Sequence, residues 1–458
     1  MTKTTGAWKA RVKRYSKTTK TSTMRLTIKS FMLVLAVLMT TATSLSAQVV
    51  GKATKGAFLL KNATIETVTK GSVKGDLLIK DGKIANIGTN LSATGAKEID
   101  CTGKFIYPGF IDGGTNLGLV EVSSVSLTQD SRESGDVKPF LEALTAVNPS
   151  SVAIPVTRVS GVTTVIAMPE GGLIPGKAAL INLVGYSPDE MYAGFKAMRM
   201  NFPSSAARGR RDNRSEEDRK KAEEKKFKEI TELWDETKLF AKIKAAKAKD
   251  ASIIQDYNPT LEAMIPVVEG TLPLFIEVNR STDILSALKW IKKTGVKAVL
   301  TGVSEGWRVA DSIAAAKIPV ITGPVIGMPT RQSDRYDRPY ANAGLMSKAG
   351  VTVAIRSNDT ENVRDLPFHA GFAAAYGMGR EAALKAITIV PAQIMGLDDR
   401  LGSLEIGKDA NLFICDGDPM ETKTQIQQVF ISGWEIPMNS RHSLLYDEFL
   451  ERSPGVRN

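Results

Sequence analysis

Histidine and cysteine are both scarce in this chain. Its 458 residues include two histidines, His369 and His442, and two cysteines. Two histidines exclude any metal centre that takes four imidazole ligands from one chain, whatever the fold. Cys101 and Cys415 allow at most one disulfide, which an exported protein could form. Two buried free thiols fit the sequence equally well.

Acidic residues are absent from the first 47 residues, which carry nine Lys and Arg residues. The formal net charge of the whole chain is +11, but the rest of the chain holds 51 basic and 49 acidic residues. A nearly neutral body lacks the basic surface that nucleic acids require. We therefore expect no nucleic-acid partner.

Apolar runs long enough to span a bilayer are also missing. The longest early run, residues 31–39, follows Arg25 and Lys29 and precedes a stretch of small residues. This order predicts a secretory signal peptide over residues 1–47, with Met24 as the candidate true start. An uncleaved membrane anchor is the alternative. We expect a periplasmic or extracellular protein that is not integral to the membrane after cleavage.

Short segments that alternate apolar and polar residues are present near both ends of the chain. Residues 48–107 contain several, and the pair Asp81-Gly82 between two of them indicates a hairpin. The same pattern returns in residues 400–445, before a C-terminal tail over 446–458. We predict one small β-sandwich domain formed by both ends of the chain.

The middle of the chain repeats a different unit, in which apolar, β-branched runs alternate with amphipathic helical segments. Such units predict an α/β fold, a TIM-like (β/α)8 barrel over residues 108–399 that is inserted in the β-sandwich. In such barrels the chemistry lies at the carboxyl ends of the strands. The predicted strands are Val162–Pro169, Leu272–Asn279, Lys297–Val303, Pro319–Val325 and Val351–Asp359.

One highly charged segment does not fit the barrel pattern. Residues 206–250 are rich in Arg, Lys and Glu, and the part after Ser215 consists of helix formers. We predict a helical excursion from the barrel, either a lid or a solvated surface helix. The apolar residues available to dock it are Leu233, Trp234, Leu239 and Phe240.

Four motifs connect these parts in a specific order. They are PGFID at Pro108–Asp112, MRMNFP at Met198–Pro203, T-x-x-P-A-x-I-x-G at Thr388–Gly396 and GSLEIGKDANL at Gly402–Leu412. With these motifs in this order, the chain resembles the amidohydrolase superfamily. Within it, the chain is similar to the branch that contains imidazolonepropionase-like and dihydroorotase-like hydrolases. More narrowly, it resembles an exported subgroup of the superfamily. The resemblance implies a hydrolase of non-peptide carbon–nitrogen bonds. It also implies divalent metal at the strand ends, which supplies hydroxide.

The family holds its metal with an HxH after the first strand, a His after the fifth and sixth strands and an Asp after the eighth. In this chain the corresponding positions are Gly114, Asn116, Glu277 and Gly302 for the histidines and Asn358 for the Asp, with Asp359 beside it. Every histidine of the pattern is replaced. The resemblance therefore implies a degenerate metal site.

Carboxylates remain near the same strand ends. Glu277 and Asp359, with the amide of Asn116, are oxygen ligands that suit Mg²⁺, Ca²⁺ or Mn²⁺. The alternative is that they form hydrogen bonds around an empty barrel mouth, and no other cofactor is expected. Asp359 is the candidate catalytic residue. The candidate pocket residues are Asn116, Glu277, Asn279, Gly302, Glu305 and Asn358.

Two functions fit these observations. The first is a hydrolase of non-peptide carbon–nitrogen bonds that works with an altered metal site. The second is a pseudoenzyme with the amidohydrolase fold, which acts as a binding or scaffold protein. In either case we expect a small-molecule ligand, and a homo-oligomer or a pair with an active homologue.

Overall fold

The computed structural model describes residues 51–206 and 212–452. The predicted signal peptide, residues 1–47, lies outside these ranges, as does the end of the C-terminal tail. Within the two described ranges, no helix is both long and apolar enough to cross a membrane.

Seventeen strands are numbered here in chain order. They are β1 (Thr54–Lys55), β2 (Phe58–Glu66), β3 (Ser72–Lys80), β4 (Lys83–Gly88), β5 (Lys97–Asp100), β6 (Phe105–Pro108), β7 (Phe110–Thr115), β8 (Val162–Ala167), β9 (Gly176–Asn182), β10 (Tyr192–Asn201), β11 (Leu274–Val278), β12 (Ala298–Gly302), β13 (Val320–Thr322), β14 (Val353–Ile355), β15 (Leu412–Cys415), β16 (Ile426–Ile431) and β17 (Trp434–Ile436).

The described α-helices lie mostly between the later barrel strands and after them. They are Ala143–Ala146, Ala153–Arg158, Pro188–Met191, Glu216–Lys247, Pro259–Val268, Ser281–Thr294, Ala310–Ala316, Arg338–Lys348, Leu366–Ala373, Arg380–Ala386, Ile389–Met395 and Arg441–Arg452.

Both ends of the described chain build one mixed nine-stranded sheet. Its strand order is β1-β17-β16-β15-β6-β2-β3-β4, and β5 pairs with β2. The rings of Phe58 in β2 and Phe430 in β16 lie 5.0 Å apart, although two strands separate β2 from β16 in that order. The sheet therefore folds over its own core. The predicted β-sandwich takes the form of this single folded sheet.

The two cysteines remain free thiols in this small domain. Cys101 and Cys415 are both buried, and they belong to different core clusters. Burial raises the pKa of Cys101 to about 11 and that of Cys415 to about 12. A disulfide is not formed, because the thiols pack into separate cores.

The second sheet is the predicted barrel, with eight strands in the chain order β7 to β14. Seven of these strands run parallel, whereas β9 is antiparallel to both β8 and β10. The regular strand–helix alternation predicted for the whole barrel is therefore wrong for β8 to β10. Antiparallel neighbours can be joined by short connections, so no crossover helix is needed there.

Hydrogen bonds between β7 and β14 nearly close the barrel. The amide N–H of Asn358 donates to the Gly114 carbonyl at 3.1 Å, and that of Asn116 donates to the Asp359 carbonyl at 3.3 Å. The buried carboxylate of Asp112 accepts from the Ser357 N–H at 3.1 Å. β7 and the residue after it are thus joined to the segment that follows β14.

The charged segment forms the 32-residue helix Glu216–Lys247. Its docked face carries Trp234, whose ring meets that of Trp290 edge to face at 5.6 Å. Phe240 is also buried, but Leu239 is 60% exposed, so its predicted docking role is wrong. Buried residues on a helix recur every three or four positions, and Leu239 lies outside that stripe.

Candidate functional site

Side chains inside the barrel form layers, because successive residues of a strand point to opposite faces. The apolar layer contains Ile111, Ile166, Ala197, Phe275, Val299, Ile321 and Ala354. Two residues further along each strand, the next layer contains Gly113, Met168, Arg199, Glu277, Thr301, Gly323 and Arg356. This second layer lies at the carboxyl ends of the strands and introduces charge into the barrel.

Three charged side chains dominate that layer, and we call them the Arg199–Glu277–Arg356 cluster. Nη2 of Arg356 lies 2.8 Å from Oε1 of Glu277, and Nη2 of Arg199 lies 3.7 Å from Oε2. The Thr301 hydroxyl donates to Oε2 at 2.7 Å. Arg356 follows β14 and Glu277 belongs to β11, so their ion pair crosses the barrel interior.

Burial decides the electrostatics of this cluster. Arg356 is 1% exposed and Arg199 is 7% exposed. Burial alone would raise the pKa of Glu277, but both guanidinium groups and the hydrogen bonds outweigh it and lower that pKa to about 2. Burial lowers the pKa of Arg199, and Glu277 offsets part of that effect. The cluster holds two cations and one anion.

Side chains pack closely around the two glycines at family histidine positions. A Cβ on Gly114 would lie 2.5 Å from Cε of Met168 and 3.2 Å from Cδ of Arg356. A Cβ on Gly302, where φ is +81°, would lie 2.5 Å from Oε1 of Glu277. These atoms are the ends of long side chains, which would have to move to admit a larger residue. Met168, Arg356 and Glu277 therefore border the space that histidine side chains would enter.

The predicted pocket residues do not share one cavity. Glu277 and Asn279 line a cavity of about 400 Å³, beside the ends of β10 and β11. Asn116, Asn358 and Asp359 line another cavity of about 460 Å³, beside the ends of β7 and β14. The predicted residues therefore lie along two cavities, and their convergence on one ligand remains a prediction.

Glu305 and Gly302 line neither of these cavities. The carboxylate of Glu305 is fully buried and forms an ion pair with Arg331. It also accepts the N–H and the hydroxyl of Ser281, each at 3.0 Å. Glu305 thus holds the start of the helix Ser281–Thr294, and its place in a ligand pocket remains a prediction.

Asp359 caps the loop that follows it. Its Oδ1 accepts the backbone N–H groups of Thr360, Glu361 and Asn362, at 2.6, 2.9 and 3.0 Å. Burial would raise the pKa of Asp359, but these hydrogen bonds outweigh it and lower the pKa. The carboxylate is therefore stably ionised and occupied by donors, which disfavours proton transfer near neutral pH.

Neither histidine belongs to the Arg199–Glu277–Arg356 cluster. Nδ1 of His369 accepts the N–H groups of Val325 and Ile326, both at 3.1 Å, and burial lowers its pKa to about 4. His442 lies in the helix Arg441–Arg452, with its Nδ1 3.5 Å from Arg364.

The donor atoms do not fit the metal that the resemblance implies. Among residues 51–206 and 212–452, no three His, Cys, Asp or Glu side chains gather as a possible metal-ligand group. Glu277 and Asp359, the proposed carboxylate ligands, line separate cavities. The oxygens of Glu277 already accept from Arg356 and Thr301.

Sequence reasoning missed the two arginines of the cluster. Arg199 lies inside the MRMNFP motif and Arg356 lies inside the apolar run of β14 and its extension. A basic residue within a run predicted to be buried is the signal that was available, because buried charges require partners. Each of them also follows an interior apolar residue by two positions, which places it inside the barrel.

Comparison with known proteins identifies the fold and its relatives. The model of the Amidohydrolase family matches residues 120–436. The structure of an amidohydrolase from Thermotoga maritima MSB8 superimposes with a TM-score of 0.73 and 27% identity, over 84% of this chain and 100% of that one. The expected barrel and small-domain architecture is confirmed.

Two curated relatives are similar in sequence over shorter regions. A D-hydantoinase from Geobacillus stearothermophilus is 44% identical over 89 residues, which cover 19% of this chain and 18% of the relative. A dihydroorotase from Halalkalibacterium halodurans is 27% identical over 304 residues, which cover 64% of this chain and 59% of the relative. The chain spans less than two thirds of the length of either relative.

Proposed function

The chain belongs to the amidohydrolase family, and we propose that within this family it is a non-catalytic binding or scaffold protein. The observation that carries the proposal is the Arg199–Glu277–Arg356 cluster. A guanidinium group now neutralises Glu277, at the fifth-strand position where the family carries a metal-binding histidine. The guanidinium of Arg356 thus supplies the positive charge that a metal ion would bring to this position.

Two further features support the absence of metal-hydroxide chemistry. Gly114 and Gly302 provide no side-chain ligand atoms. Asp359, the candidate proton carrier, is occupied by three backbone N–H groups. We derive no catalytic step through a metal, since the residues at the family's ligand positions do not fit one and Asp359 is not free to accept a proton.

The competing function is hydrolysis of non-peptide carbon–nitrogen bonds, which family membership favours. A turnover assay separates the two functions. The purified chain is incubated with hydantoin, dihydroorotate and dipeptides, with and without added Zn²⁺ or Mn²⁺. We expect no turnover above that of the Glu277→Gln variant. Metal-dependent turnover that Glu277→Gln abolishes would refute the non-catalytic function.

We also propose that the protein is exported and pairs either with a second copy or with an active homologue. The basic, acid-free segment over residues 1–47 supports export. Cell fractionation after expression tests this part, and retention of the full-length chain in the cytoplasm would contradict it. Size-exclusion chromatography with light scattering tests self-association, and a monomer at all concentrations would exclude a second copy.

A further inference from the structure

The cavity beside β10 and β11 has a free cation at its wall. Arg280 lies just before the helix Ser281–Thr294, and its side chain is exposed to the cavity. Within the described part of the chain, its guanidinium forms no ion pair or hydrogen bond. An arginine that is ready to donate several hydrogen bonds in a planar fork suits a carboxylate ligand.

Among the described residues that line the cavity, Arg280 is the cation without a partner. Lys226 also lines the cavity but pairs with Asp136 at 3.2 Å. The lining residue Glu277 is paired with two buried arginines, and the lining residue Asp283 accepts from the hydroxyl of Ser204 at 2.5 Å. The guanidinium of Arg280 is therefore available to a ligand.

One buried nitrogen of the Arg199–Glu277–Arg356 cluster also lacks a hydrogen-bond acceptor. Nε of Arg199 is buried and has no hydrogen-bond partner in the structure. Glu277 is the only carboxylate that pairs with Arg199 among the described residues, at 3.7 Å. Glu277 is therefore committed to two buried arginines and does not neutralise Arg280.

The remaining walls suit a short carbon chain. Phe202, Pro203 and Val278 contribute apolar surface, and the cavity of about 400 Å³ falls in the size range of small-molecule sites. The single unpaired guanidinium of Arg280 matches a monoanion better than a phosphate, which carries more than one negative charge near pH 7.

We propose that this cavity binds a small organic monocarboxylate, with the carboxylate on the guanidinium of Arg280 and the carbon chain against Phe202 and Pro203. The inference deepens the proposed binding function and rests on it. It assigns a ligand class to one of the two cavities and leaves the other cavity, around Asn116 and Asp359, without an assigned ligand.

Calorimetric titration of the full chain, prepared without added metal, tests the inference. The probes are pentanoate, its uncharged analogue pentanamide, and pentylamine. We expect pentanoate to bind, and the two other probes to bind at least about tenfold more weakly, because a charge-assisted hydrogen bond to arginine is lost. Raising the ionic strength should weaken pentanoate binding.

Variants locate the site. Arg280→Met should weaken pentanoate binding by about tenfold or more, and Arg280→Lys should retain part of the affinity. Arg441→Met is the matched control, because Arg441 is also exposed but lies outside the cavity lining, and its affinity should equal that of the wild type. Circular dichroism and thermal unfolding should show that Arg280→Met folds, since the Arg280 side chain has no ion pair or hydrogen bond to lose among residues 51–206 and 212–452.

Three results would overturn the inference. They are equal binding of pentanoate and pentanamide, full affinity in Arg280→Met, and no binding of pentanoate up to about 10 mM. Failure here is distinguishable from failure of the proposed function. Metal-dependent turnover together with Arg280-dependent binding would refute only the non-catalytic function. An inactive, metal-free chain that does not bind pentanoate would refute only this inference.

Discussion

Replacing Arg356 by Met should destabilise the protein by about 3–5 kcal/mol, the usual cost of removing one partner from a buried ion pair. The guanidinium is 1% exposed and lies 2.8 Å from Glu277. Without it, the carboxylate would keep Arg199 as its cationic partner, at 3.7 Å. The loss exceeds that of a surface pair because the charge of Glu277 would remain buried and poorly compensated.

The pKa of Glu277 gives an independent magnitude. It falls from an ordinary value of 4.5 to about 2. A difference of this size corresponds to about 3 kcal/mol of stabilisation by the ionised group. Because the folded-state pKa lies below the unfolded one, the stabilisation is complete above pH 4.5 and is lost as the pH falls towards 2. The free energy expected to be lost in Arg356→Met and the stabilisation that follows from the pKa of Glu277 therefore agree in order of magnitude.

Urea unfolding followed by tryptophan fluorescence measures this effect in wild type, Arg356→Met, Glu277→Gln and the double variant. We expect the double variant to be less destabilised than the sum of the single variants, because removing both charges leaves neither unpaired. Lys220→Met is the control, since the exposed pair of Lys220 with Glu216 should contribute at most about 1 kcal/mol. A loss below about 1 kcal/mol for Arg356→Met, or strict additivity, would refute the reasoning.

Three further predictions concern other parts of the barrel. Gly302→Ala should cost about 1–3 kcal/mol, because φ there is +81° and the Cβ would lie 2.5 Å from Oε1 of Glu277, whereas a Cβ on Gly327 meets no atom nearer than 4.0 Å and Gly327→Ala should change stability by less than about 0.5 kcal/mol; equal urea midpoints would contradict this. Burial raises the pKa of Asp112 to about 6, so the stability of the wild type relative to Asp112→Asn should fall by about 3 kcal/mol as the pH rises from near 4 through 6. A pH profile shared by both proteins would count against that burial effect. Trp234→Ala should cost about 3–5 kcal/mol and expose the long helix to limited proteolysis, unlike Leu239→Ala; similar cleavage of both variants would argue against docking through Trp234.

The barrel could be predicted from the sequence because buried parallel strands appear as apolar, β-branched runs. All five predicted runs contain barrel strands, from Val162–Ala167 to Val353–Ile355. The direction of β9 could not be predicted in this way. Gly176–Asn182 is buried along most of its length, and a buried antiparallel strand has the same apolar pattern as a buried parallel one.

The sequence predicts where the candidate site lies along the strands, but it does not predict which side chains contact one another there. The motifs place Gly114, Glu277 and Gly302 at strand ends, and the structure brings all three close to one charged cluster. The contact between Glu277 and Arg356 joins residues 79 positions apart, so it depends on closure of the barrel. A sequence pattern cannot show that the long side chain of Arg356 reaches across the barrel to Glu277.

The central claim is that the barrel mouth holds a guanidinium in place of a metal. Elemental analysis of purified protein by plasma mass spectrometry, after growth with added zinc and manganese and exhaustive dialysis, tests it most directly. We predict well under one metal ion per chain, unchanged in Glu277→Ala and Asp359→Ala. One or more ions per chain, lost in either variant, would contradict the claim.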